Sequence, residues 1–186
     1  MNQIGILVLA TCAILLVSGK PEPVRKTPVL TPTTQTLFEQ SQSSRFGVGD
    51  VVRFLKQANP ALSANEIRRT SVAIVRNSEK YGLDPLLVTQ VLWVESGARP
   101  WVRSPLGAIG LMQVMPHMAE PLGLAGSLAS IESNIEAGCW ILSDNIRRLG
   151  EEDGISAYFW GSEIRGVVYL ERVKKARAAV RGLSES

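Results

Sequence analysis

Apolar side chains recur at intervals of three or four residues through most of the chain after residue 48. This spacing places them along one face of an α-helix. The clearest case begins at Ser63, which forms a capping box with Glu66 and predicts a helix that ends at Gly82. The inner face of this helix is predicted to carry Ile67, Ser71, Ile74, Ser78 and Tyr81.

Asp84 and Pro85 mark the start of the next helix, because aspartate is a good N-cap and proline suits the first helical position. That helix is expected to run to about Glu95 and to end near Gly97. Prolines and glycines then predict loop or short extended structure over residues 98–110. A helix is also predicted over residues 51–58, with Asp50 as its cap. Further helices are predicted near Pro116 and over residues 133–149, 153–158 and 162–180.

The same pattern sets the fold class. No stretch of the chain alternates apolar and polar residues with the period of two that is typical of strands. The sequence therefore predicts a mainly α domain over residues 48–186, with at most a small extended or β region near residues 98–110.

The N-terminal part of the chain differs from the rest. Residues 4–17 are fourteen uncharged residues, fewer than the about 20 of a membrane-spanning helix but typical of a signal-peptide core. Residues 1–19 are therefore predicted to be a signal peptide or a short membrane anchor, and cleavage and retention both stay open. Residues 20–47 contain four prolines among Thr, Gln and Ser and are predicted to be a flexible linker. The domain is expected in the periplasm or cell envelope, attached to the inner membrane if residues 4–17 are retained.

Composition narrows the possible chemistry. The net charge of +3 and the pI near 9.1 suit an anionic polymer or a membrane surface and give no indication of nucleic-acid binding. Cys139 is the only cysteine outside the N-terminal apolar segment, so no disulfide framework is predicted, and we interpret it as a small buried residue. His117 is the only histidine, which disfavours a transition-metal site, and we expect no cofactor.

Glu95 is the candidate for acid–base chemistry. It stands near the C-terminus of a helix that is otherwise apolar, with Trp93 and Val94 before it. Burial and the negative end of the helix dipole both favour the protonated carboxyl, the form in which a general acid acts. Taken alone, this pattern also fits an exposed glutamate at a helix end.

Residues 95–116, ESGARPWVRSPLGAIGLMQVMP, closely resemble the soluble lytic transglycosylase family, known as the SLT domain. The family pattern is Glu-Ser followed by Ser-x-x-Gly-Ala-x-Gly-Leu-Met-Gln-x-Met-Pro, and each of its positions is filled here. The resemblance extends over about residues 64–175 through Tyr81-Gly82-Leu83-Asp84-Pro85, Asn134-Ile135 with Gly138, and Ala157-Tyr158. It implies a lysozyme-like helical fold and cleavage of the glycan strands of peptidoglycan.

The resemblance also implies roles for single residues. Glu95 matches the family's catalytic acid and base. The substrate-binding positions of the family are matched by Ser104, Gln113, Met115 and Tyr158. Structural roles also stay open for these residues. Ser104 could be a turn cap before Pro105, and Met112 or Met115 could be a core residue.

The reaction that the resemblance implies uses one acid rather than the two carboxylates of most glycosidases. Glu95 would protonate the bond between N-acetylmuramic acid and N-acetylglucosamine and then act as a base, leaving a 1,6-anhydro end. The sequence is compatible with this, because no Asp or Glu lies between Ser96 and Ala119, and a second acid would have to come from Glu120, Glu132 or another helix. Two alternatives stay open: a goose-type lysozyme-like hydrolase, and a non-catalytic wall-binding or assembly module.

The chain departs from the family after Ala157-Tyr158, where Phe159 stands in place of the usual asparagine. We expect Phe159 and Trp160 to add stacking surface or to be core, with at least one of them in the core. Arg99, Trp101 and Arg103 would contact acidic peptide stems at the cleft rim or form a solvated basic loop. A single small domain on a linker also resembles enzymes that serve secretion or conjugation machines or phage entry, although the sequence names no such partner.

Overall fold

The computed structural model describes residues 46–124, 127–161, 163–164 and 166–185. Seven α-helices lie in this part of the chain: α1 (Val48–Ala58), α2 (Ala64–Tyr81), α3 (Pro85–Ser96), α4 (Pro116–Ala119), α5 (Ile131–Leu149), α6 (Glu151–Trp160) and α7 (Val168–Glu185). A short 3-10 helix, Glu120–Leu122, follows α4. The predicted signal or anchor segment and nearly all of the predicted linker lie outside the described residues.

Extended structure is confined to one short region. Two isolated antiparallel bridges pair Arg103 with Ile109 and Ile109 with Val114, and the described residues contain no longer strand. The mainly α class with a small extended region is therefore confirmed. The extended region reaches a few residues beyond the predicted 98–110.

The predicted caps of α2 and α3 are confirmed. The Ser63 hydroxyl accepts a hydrogen bond from the Glu66 backbone N–H at 3.3 Å, and the Glu66 carboxylate accepts one from the Ser63 backbone N–H at 2.8 Å. At the start of α3, the Asp84 carboxylate accepts from the Leu86 N–H at 2.9 Å. These bonds satisfy backbone donors that a helix leaves free at its N-terminus, so the helices begin where the sequence places them.

The prediction that Asp50 caps the first helix is wrong. Gly47 occupies the N-cap position of α1, and Asp50 lies in the first turn, where its carboxylate accepts a 2.8 Å hydrogen bond from the Gly47 N–H. The aspartate therefore serves the same helix end from inside the helix. Its negative charge near the N-terminus is favourable for the helix dipole as well.

The last two helices also differ from their predicted bounds. Helix α6 begins at Glu151 rather than 153 and extends to Trp160, while α7 begins at Val168 rather than 162. Two glycines in the intervening segment, Gly161 and Gly166, have positive φ angles of 70° and 154°. Such backbone angles interrupt a right-handed helix, which explains the late start of α7.

The core surrounds α3. Val88, Val91 and Leu92 are fully buried, and α3 packs against α7 and α2, while α5 packs against α2 and α6. Cys139 of α5 is also fully buried, as predicted, and burial raises the pKa of its thiol. Because α3 is apolar around most of its circumference, it is held on several sides and carries its C-terminal turn to a fixed place.

Within the described residues, none of the helices combines the length and the apolar character that crossing a bilayer requires.

Candidate active site

Glu95 lies in the last turn of α3, where its half-buried side chain faces a cavity of about 440 Å³. Its Oε1 accepts a 2.6 Å hydrogen bond from the hydroxyl of Tyr169 on α7. Arg172 lies one helical turn after Tyr169 and also lines the cavity. The carboxyl group is therefore held between the end of the central helix and the last helix.

The cavity brings the predicted site residues together. Its walls include all five of them, Glu95, Ser104, Gln113, Met115 and Tyr158. The other described lining residues include Leu106, Met118, Phe159, Trp160, Tyr169 and Arg172. Among all described residues at its wall, Glu95 is the only carboxylate and Arg172 the only other charged group.

The environment of Glu95 favours its protonated form. Burial raises the pKa of the carboxyl above its ordinary value. The hydrogen bond from Tyr169 and the positive charge of Arg172 act in the opposite direction and offset part of this rise. The balance leaves an acid that holds its proton to higher pH than an exposed glutamate and that has one defined hydrogen-bond donor.

Ser104 has a structural role in the loop that forms one wall. Its hydroxyl oxygen accepts a 3.0 Å hydrogen bond from the Ala108 N–H, and its own N–H donates to the Ala108 carbonyl at 3.0 Å. The hydroxyl proton is not used by this bond and can be donated to a ligand. Ser104 is thus a turn residue that also lines the cavity.

Gln113 has an unusual backbone for a residue other than glycine, with a φ angle of 47°. Its side-chain Nε2 donates to the carbonyls of Gly110 at 2.8 Å and Val102 at 3.2 Å. Because both hydrogens of the amide nitrogen are used within the loop, the group that Gln113 can offer to a ligand is its Oε1 acceptor.

Tyr158 of α6 also contacts this loop. Its hydroxyl donates a 2.8 Å hydrogen bond to the carbonyl of Met112, whose side chain is fully buried. Burial and the nearby charge of Glu95 raise the pKa of the Tyr158 hydroxyl well above its ordinary value. The phenol therefore stays protonated and holds the loop in place. Met115, unlike Met112, lines the cavity.

Sequence reasoning missed Tyr169 and Arg172. Tyr169 is 2% exposed and looks like an ordinary core residue of a helix in the sequence pattern. The available signal was chemical, because a buried tyrosine hydroxyl requires a hydrogen-bond partner and Glu95 offers one. The spacing of three residues then places Arg172 on the same face of α7 as Tyr169.

The expectation that at least one of Phe159 and Trp160 lies in the core is wrong. Phe159 is 51% exposed, and Trp160 is half-buried but is not part of the buried core. Arg99 stays at the end of α3, where its Nε donates to the Ser96 carbonyl at 2.7 Å. Neither Arg99 nor Trp101 nor Arg103 is among the described residues that line the cavity.

In the part of the chain that the structure describes, no group of three His, Cys, Asp or Glu side chains is arranged to hold a metal ion.

Comparison with known proteins places these residues in a family. The model of the transglycosylase SLT domain matches residues 73–175, more than half of the chain. The chain belongs to this family. The match contains Glu95 and all the other residues of the cavity named above, and it confirms the resemblance to the SLT family.

Individual relatives match about half of the chain. A transglycosylase of Enterobacteria phage PRD1 is 38% identical over 86 residues, which are 46% of this chain and 32% of the phage protein. Membrane-bound lytic murein transglycosylase C of Mannheimia succiniciproducens is 33% identical over 122 residues, covering 58% of this chain and 34% of that protein. The chain thus spans about a third of the length of these curated relatives.

Among solved structures, an inactive mutant of the lytic transglycosylase Slt from Pseudomonas aeruginosa is similar to this chain, with 21% sequence identity and a TM-score of 0.45. The similarity covers 81% of this chain and 28% of the Slt chain.

Proposed function

We propose that the domain is a peptidoglycan lytic transglycosylase in which Glu95 is the single catalytic residue for proton transfer. The substrate bond is the β-1,4 linkage from N-acetylmuramic acid to N-acetylglucosamine. The observation that carries the proposal is that Glu95 is the one carboxyl group among the described residues of the cavity wall, with a raised pKa and a hydrogen bond from Tyr169. A hydrolase of the usual kind would need a second carboxylate across the bond to be cleaved.

The chemistry follows from this single group. Protonated Glu95 donates its proton to the glycosidic oxygen, the bond from that oxygen to C1 of N-acetylmuramic acid breaks, and N-acetylglucosamine leaves as the alcohol. The acetamido oxygen of the same sugar supports the positive charge that develops at C1. The Glu95 carboxylate then takes the proton of the C6 hydroxyl, whose oxygen bonds to C1 and closes the 1,6-anhydro ring. Glu95 ends protonated, and no water is consumed.

The walls of the cavity suit a sugar chain. Ser104 can donate its hydroxyl proton and Gln113 can accept through Oε1, so together they match the mixed donors and acceptors of an acetamido sugar. Met115 and the Tyr158 ring supply apolar surface against the sugar's C–H face. These residues would bind and orient the substrate, while proton transfer belongs to Glu95.

Location and partners follow from the same proposal. Peptidoglycan lies outside the cytoplasm, which agrees with an export signal or anchor in residues 1–19 and a periplasmic or envelope location. Several relatives are named as membrane-bound, and attachment through residues 4–17 would have the same effect here. The proposal includes that the domain acts together with a secretion, conjugation or phage-entry machine.

Digestion of purified peptidoglycan sacculi tests the proposal. The wild-type protein should release fragments with 1,6-anhydro-N-acetylmuramic acid ends, identified by mass spectrometry. Glu95→Gln keeps the shape and a hydrogen-bond acceptor but cannot give a proton, so cleavage should fall by roughly 10²-fold or more. The matched control is Glu120→Gln, which removes an exposed glutamate that does not line the cavity and should leave cleavage unchanged.

Other product patterns would reject the proposal in different ways. Fragments that carry reducing ends instead of anhydro ends would identify a goose-type hydrolase. If wild type and Glu95→Gln both bind sacculi and neither cleaves them, the domain is a wall-binding or assembly module.

A further inference from the structure

Phe159 has an unusual combination of exposure and ordered contact. The residue is 51% exposed, yet its ring lies nearly parallel to that of Tyr169, with centroids 5.0 Å apart and an angle of 15° between the planes. The Trp160 ring is nearly perpendicular to the Phe159 ring, with centroids 4.9 Å apart and an interplanar angle of 89°. The end of α6 therefore covers one face of the Tyr169 ring.

The hydroxyl end of Tyr169 contacts the candidate acid, Glu95. The ring is 2% exposed, and its hydroxyl donates the 2.6 Å hydrogen bond to Glu95 Oε1. A tyrosine hydroxyl moves with its ring, so any tilt of the ring lengthens or bends this bond. The parallel contact with Phe159 is the kind of aromatic pairing that restricts such tilting.

We propose that Phe159 is a positioning residue: it acts through Tyr169, whose ring it holds so that the hydroxyl stays on Glu95. The proposal rests on the proposed function of Glu95. It also gives Phe159 a role other than direct sugar binding, because the face that it presents to Tyr169 cannot contact a ligand at the same time.

The consequence for Glu95 has a definite sign. The titratable or charged described groups around the Glu95 carboxyl in this cavity are Tyr158 from α6 and Tyr169 and Arg172 from α7. The Tyr169 hydrogen bond and the Arg172 charge lower the Glu95 pKa, against the larger effect of burial. Loosening Tyr169 removes one lowering influence, so Glu95 should keep its proton to higher pH.

A simple shielding role predicts the opposite sign. If Phe159 served only to keep water away, its loss would hydrate the carboxylate and lower the pKa of Glu95. Phe159→Leu is the informative variant, because leucine keeps apolar bulk at the site but cannot form the parallel ring contact. Phe159→Tyr is its matched control, since it keeps the ring.

The test is a titration of the Glu95 carboxyl by carbon NMR, with the resonance assigned by its absence in Glu95→Gln. We expect Phe159→Leu to move the titration to higher pH, in the same direction as Tyr169→Phe, and Phe159→Tyr to leave it near wild type. In the Tyr169→Phe background, Phe159→Leu should cause no further shift, because the two residues act through the same bond. Thermal unfolding confirms that each variant is folded.

Kinetics on soluble glycan strands give a second measurement. Phe159→Leu should lower kcat by about tenfold, a part of the roughly 10²–10⁴-fold that general acid–base catalysis contributes, with KM changed much less. In the pH profile of kcat/KM, the limb that falls at high pH should shift to higher pH together with the Glu95 titration. In Phe159→Tyr, kcat and the pH profile of kcat/KM should both stay near their wild-type values.

Three results would overturn the proposal: an unchanged Glu95 titration in Phe159→Leu, a shift to lower pH, or a shift that persists in full in the Tyr169→Phe background. The NMR titration does not depend on cleavage. An inactive wild-type protein would therefore contradict the proposed function, while the contact between Phe159, Tyr169 and Glu95 would still be tested.

Discussion

Asn134 Oδ1 accepts a 2.8 Å hydrogen bond from the backbone N–H of Met112, across 22 residues of sequence. The same side chain donates from Nδ2 to the carbonyls of Ile109 at 2.7 Å and Leu128 at 3.1 Å. Both Asn134 and Met112 are buried. Helix α5 thus fixes the loop that carries Gln113 into the cavity, and it does so through three hydrogen bonds of one side-chain amide.

Replacing Asn134 with alanine should lower the free energy of unfolding by about 3 kcal/mol, because three buried hydrogen bonds are lost and their backbone partners are left unsatisfied. Urea unfolding measures this change. The control is Asn65→Ala, at an exposed position of α2, which should cost less than about 0.5 kcal/mol. Similar values for the two variants would contradict the role given to Asn134.

Tyr158→Phe tests a second side chain that holds the same loop by a hydrogen bond. The variant removes the hydroxyl that donates to the Met112 carbonyl at 2.8 Å and keeps the ring. We expect a loss of about 1 kcal/mol in the free energy of unfolding. Tyr81→Phe is the matched control, because the Tyr81 hydroxyl makes only a 3.4 Å bond to Glu136, and its loss should cost less. A larger effect at Tyr81 would show that the hydroxyl of Tyr158 does not stabilise the loop.

The sequence predicts well those features whose causes are local. The capping box of Ser63 and Glu66 lies within four residues of sequence, and so does the pairing of Asp84 with Leu86, so both helix starts can be derived from residue types alone. The predicted start of α7 is too early because the true position depends on the backbone angles of Gly161 and Gly166. Residue type alone does not specify which angle a glycine adopts.

In the candidate site, too, some features have local causes in the sequence and others depend on packing. Residues 95–116 form a continuous motif, and the structure places its candidate residues Glu95, Ser104, Gln113 and Met115 at one cavity. The bond from Tyr169 to Glu95 joins residues 74 positions apart and has no local signature. The sequence leaves Phe159 as core or stacking surface, because its exposure and its contact with Tyr169 depend on how α6 and α7 meet. Such relations come from packing, which the periodicity of one helix does not contain.

Gly154 should tolerate no side chain, although alanine normally stabilises a helix relative to glycine. A Cβ at Gly154 would lie 2.5 Å from Ile146 Cα and 2.6 Å from Ile146 N, atoms of the α5 backbone that cannot turn aside. Gly154→Ala should therefore lower the free energy of unfolding by about 1–3 kcal/mol. Gly182→Ala is the matched control in α7, where a Cβ meets nothing within 4 Å, and it should raise stability by about 0.5–1 kcal/mol. Thermal unfolding of both variants measures the contrast, and equal effects would refute the close approach of α5 and α6.

Glu95→Gln should change stability in a pH-dependent way that reports the raised pKa of Glu95. Because burial raises the pKa in the folded state above its unfolded value, Glu95 contributes stability at low pH that is lost as the pH rises through the folded-state pKa. The glutamine of the variant stays neutral at every pH and can still accept the Tyr169 hydroxyl. The melting temperature of Glu95→Gln should therefore be close to that of wild type at acid pH and exceed it at neutral pH.

Glu66→Gln provides a control of opposite sign. Hydrogen bonds from Ser63 lower the pKa of Glu66, so its contribution is present above the unfolded-state pKa and is lost as the pH falls. That variant should melt below wild type at neutral pH and approach it at acid pH. Melting curves recorded across the pH range for both variants decide the matter. If Glu95→Gln melts below wild type at neutral pH while matching it in acid, burial does not dominate at Glu95, and its assignment as a proton-holding general acid loses its electrostatic basis.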